Sequence, residues 1–266
     1  MVLYILCTGL GIFAFLQPFF LPDIKQSYAY TQIRSNDAPW MVTLALSLCV
    51  FIIFYEIQTQ AVNTRIIALM GMLVAINSSL RFLEVAIPGP GGFSPVFFLI
   101  IMVGYVYGSY FGFLMGALTL FVSALITGGV GPWLPGQMFT AGWVGMSSPL
   151  IKPIVHYLAK ILKKNEMKIE IFFLAIFGAI WGLLYGAIMN LWAWPFISGP
   201  SNQYWTPGIS FGNTLLRYSA YYLITSLAWD LCRSAGNVLL ISLLGAPVIK
   251  TLRRFQDRFS FSYQCE

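Results

Sequence analysis

Charge is scarce in this chain. Only 9% of its 266 residues are Asp, Glu, Lys or Arg, against 58% hydrophobic residues and a mean hydropathy of +0.77. That balance excludes an ordinary soluble domain, in which about a quarter of residues are charged. A single histidine, His156, cannot build a histidine metal cluster. The four cysteines (Cys7, Cys49, Cys232, Cys265) have no CxxC spacing and mostly lie in apolar runs, so neither disulfides nor a metal site is inferred. Cys265 is second from the end and makes no prenylation box. No P-loop, HExxH, GxSxG or paired-aspartate metal motif is present, so the chain carries no enzyme signature and cannot by itself use ATP. An intramembrane serine–histidine dyad needs a histidine in the outer half, and His156 falls near the inner surface. The net charge of +6 would suggest an acidic partner in a soluble protein; here the positions of the charges matter more, and no nucleic acid is expected.

What fills the chain instead is apolar sequence long enough to cross a bilayer repeatedly. Val2 to Leu21 is such a run. With no basic stretch ahead of it and no small-x-small cleavage site before Pro22, it reads as a retained span rather than a signal peptide. A second span runs from about Pro39 to Tyr55. Residues 1–63 are read as an N-terminal transmembrane helix pair, 64–254 as a six-helix core and 255–266 as a basic cytoplasmic tail.

The core opens with a span from Arg65 to about Ile87. Ala68, Gly71, Ala75 and Ser79 fall on one face, because steps of three and four residues stack along a helix. Small residues let another helix approach closely; that helix is either a partner's or one from the same bundle. A compact loop rich in proline and glycine follows at 88–95. Residues 96–127 hold no charge across 32 positions, and a single helix of that length would reach about 48 Å, against a hydrocarbon core of about 30 Å. Two short spans are therefore expected, turning near Tyr107 to Gly112. Gly104, Gly108, Gly112 and Gly116 recur every fourth residue, which suits tight packing on both sides of that turn.

Gly128 to Met146 then reads GGVGPWLPGQMFTAGWVGM. Its glycines and prolines rule out regular helix to about Gly136, leaving Trp133 in irregular backbone and the Gln137 amide at the start of the next helix. An indole and a neutral polar fork beside irregular backbone at membrane depth suggest small-molecule binding. An interfacial tryptophan in an ordinary loop is the equal alternative. A span from Gln137 to Leu162 follows, with Pro149 and Pro153 near its far end, and then the charged loop KKNEMK. Ile169 to about Trp194 spans back and closes on Asn190, Trp192 and Trp194. After an irregular loop at 196–216, the segment 217–249 is too long for one straight span, so a broken start or a tilt is expected.

Eight spans result, two plus six, giving an all-α polytopic membrane protein. With the N-terminus inside, ten Lys and Arg residues fall on inner loops and four on or near the outer side, as the positive-inside rule requires. Both termini are then cytoplasmic, and the loops at 88–95, 128–136 and 196–216 gather at the outer face, where they can lid a pocket. Within the membrane, Arg81 and Glu84 lie three residues apart on a helix, as do Asp230 and Arg233, so each pair can neutralise itself. Asp230 with Arg233 is read as a structural ion pair, while Arg81 and Glu84 suit a pocket and a structural role equally. Asn77, Asn190 and Asn237 can bind a ligand or tie helices together. Trp133, Trp143 and Trp194 are the better pocket tryptophans; Trp192 and Trp205 suit an interfacial belt equally.

GGVGPWLPGQM followed by GWVG, with WDLCRSAGN in the last helix, resembles the substrate-binding S components of energy-coupling factor (ECF) transporters, most nearly the branch linked to cobalamin and its precursors. The residues that carry the likeness are Gly131, Pro132, Trp133, Pro135, Gln137, Met138, Gly142 and Trp143, then Asp230, Leu231, Gly236 and Asn237, within about residues 64 to 254. The resemblance implies six helices and a vitamin-sized ligand near the outer surface of the plasma membrane. It implies no catalysis and no directly bound cofactor. Its implied partners are a transmembrane coupling protein and two ATP-hydrolysing subunits, with Ala68, Gly71 and Ala75 facing them. Together with the residues weighed above, the candidate ligand-binding set is Asn77, Arg81, Glu84, Trp133, Gln137, Trp143, Asn190 and Trp194, with no metal site. Two departures stand out: the extra helices before residue 56, and Arg233 where many relatives carry histidine. A ligand-free scaffold protein and a stand-alone secondary transporter are the alternatives. The ligand itself, whether cobalamin, a cobinamide-like or queuosine precursor or another vitamin, is not legible.

Overall fold

The computed structural model describes residues 64–86, 91–131, 133–162, 165–196, 200, 202–206 and 208–259, with isolated positions at 8, 9, 11–13, 15, 47 and 51. Most of the helix pair expected over 1–63 lies outside the described residues, as do Pro88, Pro90, Pro132, Lys163 and Lys164. From Thr64 onward the described chain forms eight α-helices and no strand: α1 (Thr64–Ala86), α2 (Val96–Tyr107), α3 (Ser109–Thr127), α4 (Leu134–Ser147), α5 (Ile151–Leu162), α6 (Glu166–Ala193), α7 (Phe211–Thr225) and α8 (Leu227–Phe259). Four of these, α1, α3, α6 and α8, are long and apolar enough to cross a bilayer. The all-α membrane architecture read from composition is the one observed.

Helix α2 is the axis. Of its 12 residues only Leu99 and Tyr107 escape burial, and it packs against α1, α3, α4, α6 and α8. A helix that is apolar all round belongs inside a bundle, so α2 needs no polar face. At about 18 Å it is shorter than the hydrocarbon core. It turns into α3 at Gly108, whose φ of 102° suits glycine alone, inside the window expected from chain length. Helix α3 ends at Gly128, φ 67°, with the Gly129 amide donating to the Ala124 carbonyl at 2.9 Å, a Schellman-type stop.

Two glycine seams bind the rods. Gly112 lies backbone to backbone against Gly145 of α4, Gly116 against Ala141, and Gly104 against Gly145 and Ser148. A Cβ at any of the three would overlap a main-chain atom, so close approach rather than flexibility explains these glycines. The second seam joins α6 to α8, where Gly178, Gly182 and Gly186 face Asn237, Ser234 and Asp230 in turn.

Two expectations are corrected. The span read as one helix from Gln137 to Leu162 is broken by a 3-10 turn at Ser148–Leu150. Pro149 supplies no amide hydrogen, and the ring of Pro153 conflicts with helical placement of the carbonyl four residues earlier. Helix α4 also starts at Leu134, before the expected end of irregular backbone at Gly136, because Pro135 sits in the first turn, where its missing N–H costs nothing. The long last segment does break, at Ser226 between α7 and α8, and α8 then continues past residue 254 to Phe259.

Connectivity sorts the bundle into two ends. The segments between α1 and α2, α3 and α4, and α6 and α8 fall at one, the loop end. At the far end, Tyr107 donates to the Leu252 carbonyl at 2.9 Å and the Lys152 amine to the Val106 carbonyl at 3.3 Å. There Glu170, 2% exposed, accepts from Tyr105 at 3.0 Å and pairs with Arg253, drawing α2, α6 and α8 together.

Candidate functional site

The loop end holds a polar cluster inside an otherwise apolar bundle. Asp230, on the first turn of α8, is buried and pairs with Arg233 one turn further on. The Asp230 carboxylate also accepts from the Tyr222 hydroxyl at 2.9 Å, which ties α7 to α8. The Arg233 guanidinium donates to the Gly182 carbonyl at 3.3 Å and lies 5.4 Å from the Tyr185 ring centre and 6.0 Å from that of Phe97. Two aromatic faces and a carboxylate thus surround one cation, which makes a charge tolerable at this depth. Across the cluster, Glu84 of α1 accepts from the Ser94 hydroxyl at 2.7 Å, fixing the end of the first loop against α1. The same loop presses on α8: Gly92 sits against the Trp229 carbonyl and the Arg233 side chain, and Gly236 faces the Phe93 ring.

Helix α7 flanks this cluster, running along α6 through Tyr218 on the Ala187 carbonyl and Tyr222 on the Leu183 carbonyl. Tyr218 stacks on Tyr222 at 6.3 Å, meets Trp194 edge-on at 5.2 Å and donates to the Ala187 carbonyl. Tyr218 and Tyr222 thus commit their hydroxyls to the Ala187 carbonyl and the Asp230 carboxylate. Trp194 is fully buried and donates to the Gln203 carbonyl at 2.8 Å, while Arg217 donates to Thr206 at 3.1 Å. The loop before α7 is therefore pinned from both sides.

The residues singled out from sequence do not form one group. Glu84, with the pair Asp230 and Arg233, belongs to the cluster, and Arg81 lies one helical turn before Glu84 on α1. Trp194 joins it through Tyr218. Trp133 lies at the start of α4, 44% exposed, with its indole N–H on the Gly129 carbonyl at 3.2 Å. Gln137, one turn along, is half-buried. The adjacent face of α4 at Gly136 looks toward Met189 and Trp192 of α6, next to half-buried Asn190. Trp143 lies deeper, its ring 5.8 Å from Phe15 and 6.5 Å from Phe139, with a buried indole nitrogen that no hydrogen bond among the described residues satisfies. Asn77 is fully buried and donates to the Val96 carbonyl at 3.1 Å and to Thr119 at 3.3 Å, tying α1 to α2 and α3. Asn237 donates to the Gly178 carbonyl at 2.9 Å. On α1, Ala68, Gly71, Ala75 and Ser79 are all exposed among the described residues, none of which stands within 4 Å of where a Gly71 Cβ would be.

The sequence matches the family described as the ECF transporter, substrate-specific component, over residues 65–245. The chain belongs to this family. The match begins one residue into α1 and ends within α8, so all eight described helices contribute to it. This S component is thus a multi-pass membrane protein and a transport component that works with the other subunits of an ECF transporter. No curated protein and no solved structure matches the chain.

Several residues of the S-component cluster escape a reading of the sequence. Phe97, Tyr185 and Tyr222 are aromatic residues in apolar or tyrosine-rich runs, and nothing in their spacing marks them. Gly178, Gly182 and Gly186 do carry a signal, the same every-fourth pattern as 104–116, and their role is to admit α8.

Proposed function

We propose that this S component captures a vitamin or vitamin precursor at the outer face of the plasma membrane and hands it to an ATP-driven importer. Cobalamin or a related compound is favoured by the GPWLPGQM and DLCRSAGN segments. In this reading both termini are cytoplasmic and the loop end faces outward, as the distribution of Lys and Arg favours. The observation that carries the reading is the cluster of Asp230, Arg233, Phe97, Tyr185 and Tyr222, flanked by α7, at the loop end of the bundle. A transport subunit needs a polar, aromatic-walled chamber near one surface, and this end concentrates the material for one.

Arg81, Glu84, Asn190 and Trp194 are assigned to the chamber's wall, and Trp133 and Gln137 to its mouth. Asn77 and Trp143 are assigned to its floor, where Asn77 Oδ1 and the Trp143 indole nitrogen are buried polar atoms still to be satisfied. The Asp230–Arg233 ion pair holds α8 in place beneath it.

The partners are a transmembrane coupling protein and two ATPase subunits, which use the ATP; the S component itself binds no cofactor. Ala68, Gly71 and Ala75 are assigned to the coupling protein. The open stripe on α1 supports this, as does the apolar groove of about 320 Å³ beside it, lined by Met72, Ile76, Pro247 and Val248 among others. Small residues let a partner helix come close enough for dispersion to hold it.

Reconstitution tests the reading. Liposomes holding this chain, the coupling protein and both ATPases are expected to accumulate the ligand only with ATP. Uptake by this chain alone would instead make it a secondary transporter. Co-purification with unrelated proteins and no ligand would make it a scaffold.

A further inference from the structure

Helix α5 divides into three sectors along its length. Val155 is buried and Ala159 half-buried against the bundle. Ile154, Tyr157 and Ile161, spaced three and four residues apart, form a stripe that is 45%, 66% and 56% exposed. Lys152, His156 and Lys160, spaced by four, form a third sector, also exposed. With about 3.6 residues per turn, the apolar and basic stripes lie on different sides of the helix, and neither is the side that packs.

The place of α5 in the fold is fixed at two points. The Lys152 amine donates to the Val106 carbonyl at the far end of α2 and lies 5.6 Å over the Tyr105 ring. One turn on, His156 lies 3.8 Å from Glu166, in the first turn of α6. The helix therefore starts level with the far end of the bundle. Helix α5 packs against α6, whose exposed apolar row, Phe172, Ile176, Ile180 and Leu184, faces lipid in a chain that crosses the membrane. Exposed Lys168 adds to the cations here. Glu166 is the acidic residue among them.

We infer that α5 lies in the membrane interface at the far end of the bundle. Its Ile154–Tyr157–Ile161 stripe enters the acyl boundary, and its lysines engage the headgroups of anionic lipids. A basic face flanking an apolar one is what such a surface selects, and α5 packs on α6, whose exposed apolar row faces the same lipid. The inference rests on the membrane-spanning reading but on no ligand, so it can fail or stand independently of the transport assignment.

The test uses the full chain with its own cysteines replaced by serine, reconstituted in vesicles of phosphatidylcholine alone or with added phosphatidylglycerol. A fluorophore is placed on Tyr157→Cys, Ile161→Cys or Lys160→Cys. Quenching by lipid-borne nitroxide is expected to be about threefold stronger at 157 and 161 than at 160, with aqueous iodide showing the reverse order. Phosphatidylglycerol is expected to strengthen the contrast, and Lys160→Glu with Lys168→Glu to cancel that gain. Should cysteine replacement unfold the chain, amide exchange of the unaltered protein in the same vesicles reads the same point: residues 151–162 exchange more slowly when anionic lipid is present. Equal iodide quenching at all three positions would overturn the inference. So would protection that arises only when a second protein is added, or exchange indifferent to lipid charge.

Discussion

The carboxylate of Asp230 fills the space that a Cβ on residue 186 would occupy, so α8 carries its ion pair into the bundle only because residue 186 is glycine. This single fit couples the α6–α8 seam to the polar cluster. Gly186→Ala is expected to push Asp230 away from Arg233 and to destabilise the protein by about 3 kcal/mol, combining overpacking with a weakened buried pair. Gly212→Ala on α7 meets open space and is expected to stay within about 0.5 kcal/mol of the parent. Thermal unfolding in lipid nanodiscs separates the two.

The ion pair itself makes a second prediction. Interhelical hydrogen bonds inside membranes average about 0.6 kcal/mol, whereas stranding one partner of a buried pair costs about 3–5 kcal/mol. Asp230→Leu and Arg233→Met, taken singly, are therefore each expected to destabilise far more than Asn237→Leu. The double variant is expected to be more stable than either single one. A double-mutant cycle on unfolding midpoints reads this directly, and additive losses would show the two side chains to be independent.

Much of this architecture is legible in the sequence, for reasons that particular residues make plain. An uncharged run from Val96 to Thr127 too long for one span forces a turn, and a glycine in a left-handed conformation, Gly108, supplies it. That the small residues of α1 share one face is legible because steps of three and four have one geometric consequence, whereas spacing alone does not say whether that face is covered by the same bundle. The break inside 137–162 was harder to read: apolar sequence continues through it, and only Pro149 and Pro153 carry the signal. The cluster around Arg233 was only half visible. Spacing along α8 gives Asp230 as a partner, but Phe97, Tyr185 and Tyr222 arrive from three other helices, and no local pattern encodes that meeting.

The uncovered face of α1 predicts a separation of functions. Gly71→Leu and Ala68→Leu place bulk where no described residue packs, so folding and ligand binding are expected to be unchanged. Assembly with the coupling protein is expected to fall about tenfold or more, because close helix approach is lost. Pull-down of the intact complex from nanodiscs checks this, with ligand binding measured on the same samples.

At the mouth of the proposed chamber, Trp133 and Gln137 are exposed and half-buried respectively. Removing either disturbs little packing, so Trp133→Ala and Gln137→Ala are each expected to leave the unfolding midpoint within about 1 °C while weakening ligand binding about tenfold. Isothermal titration beside a melting curve distinguishes a lost contact from a lost fold.

Ligand capture at the loop end is tested most directly by presenting the purified chain, without its partners, to a panel of vitamins and their precursors and following its unfolding temperature with native mass spectrometry alongside. One compound or one close chemical group is expected to bind with sub-micromolar affinity and raise the midpoint, and Trp133→Ala is expected to diminish that rise. A panel spanning cobalamin, cobinamide-like compounds, queuosine precursors and the other vitamins that produces no shift and no bound mass would contradict it.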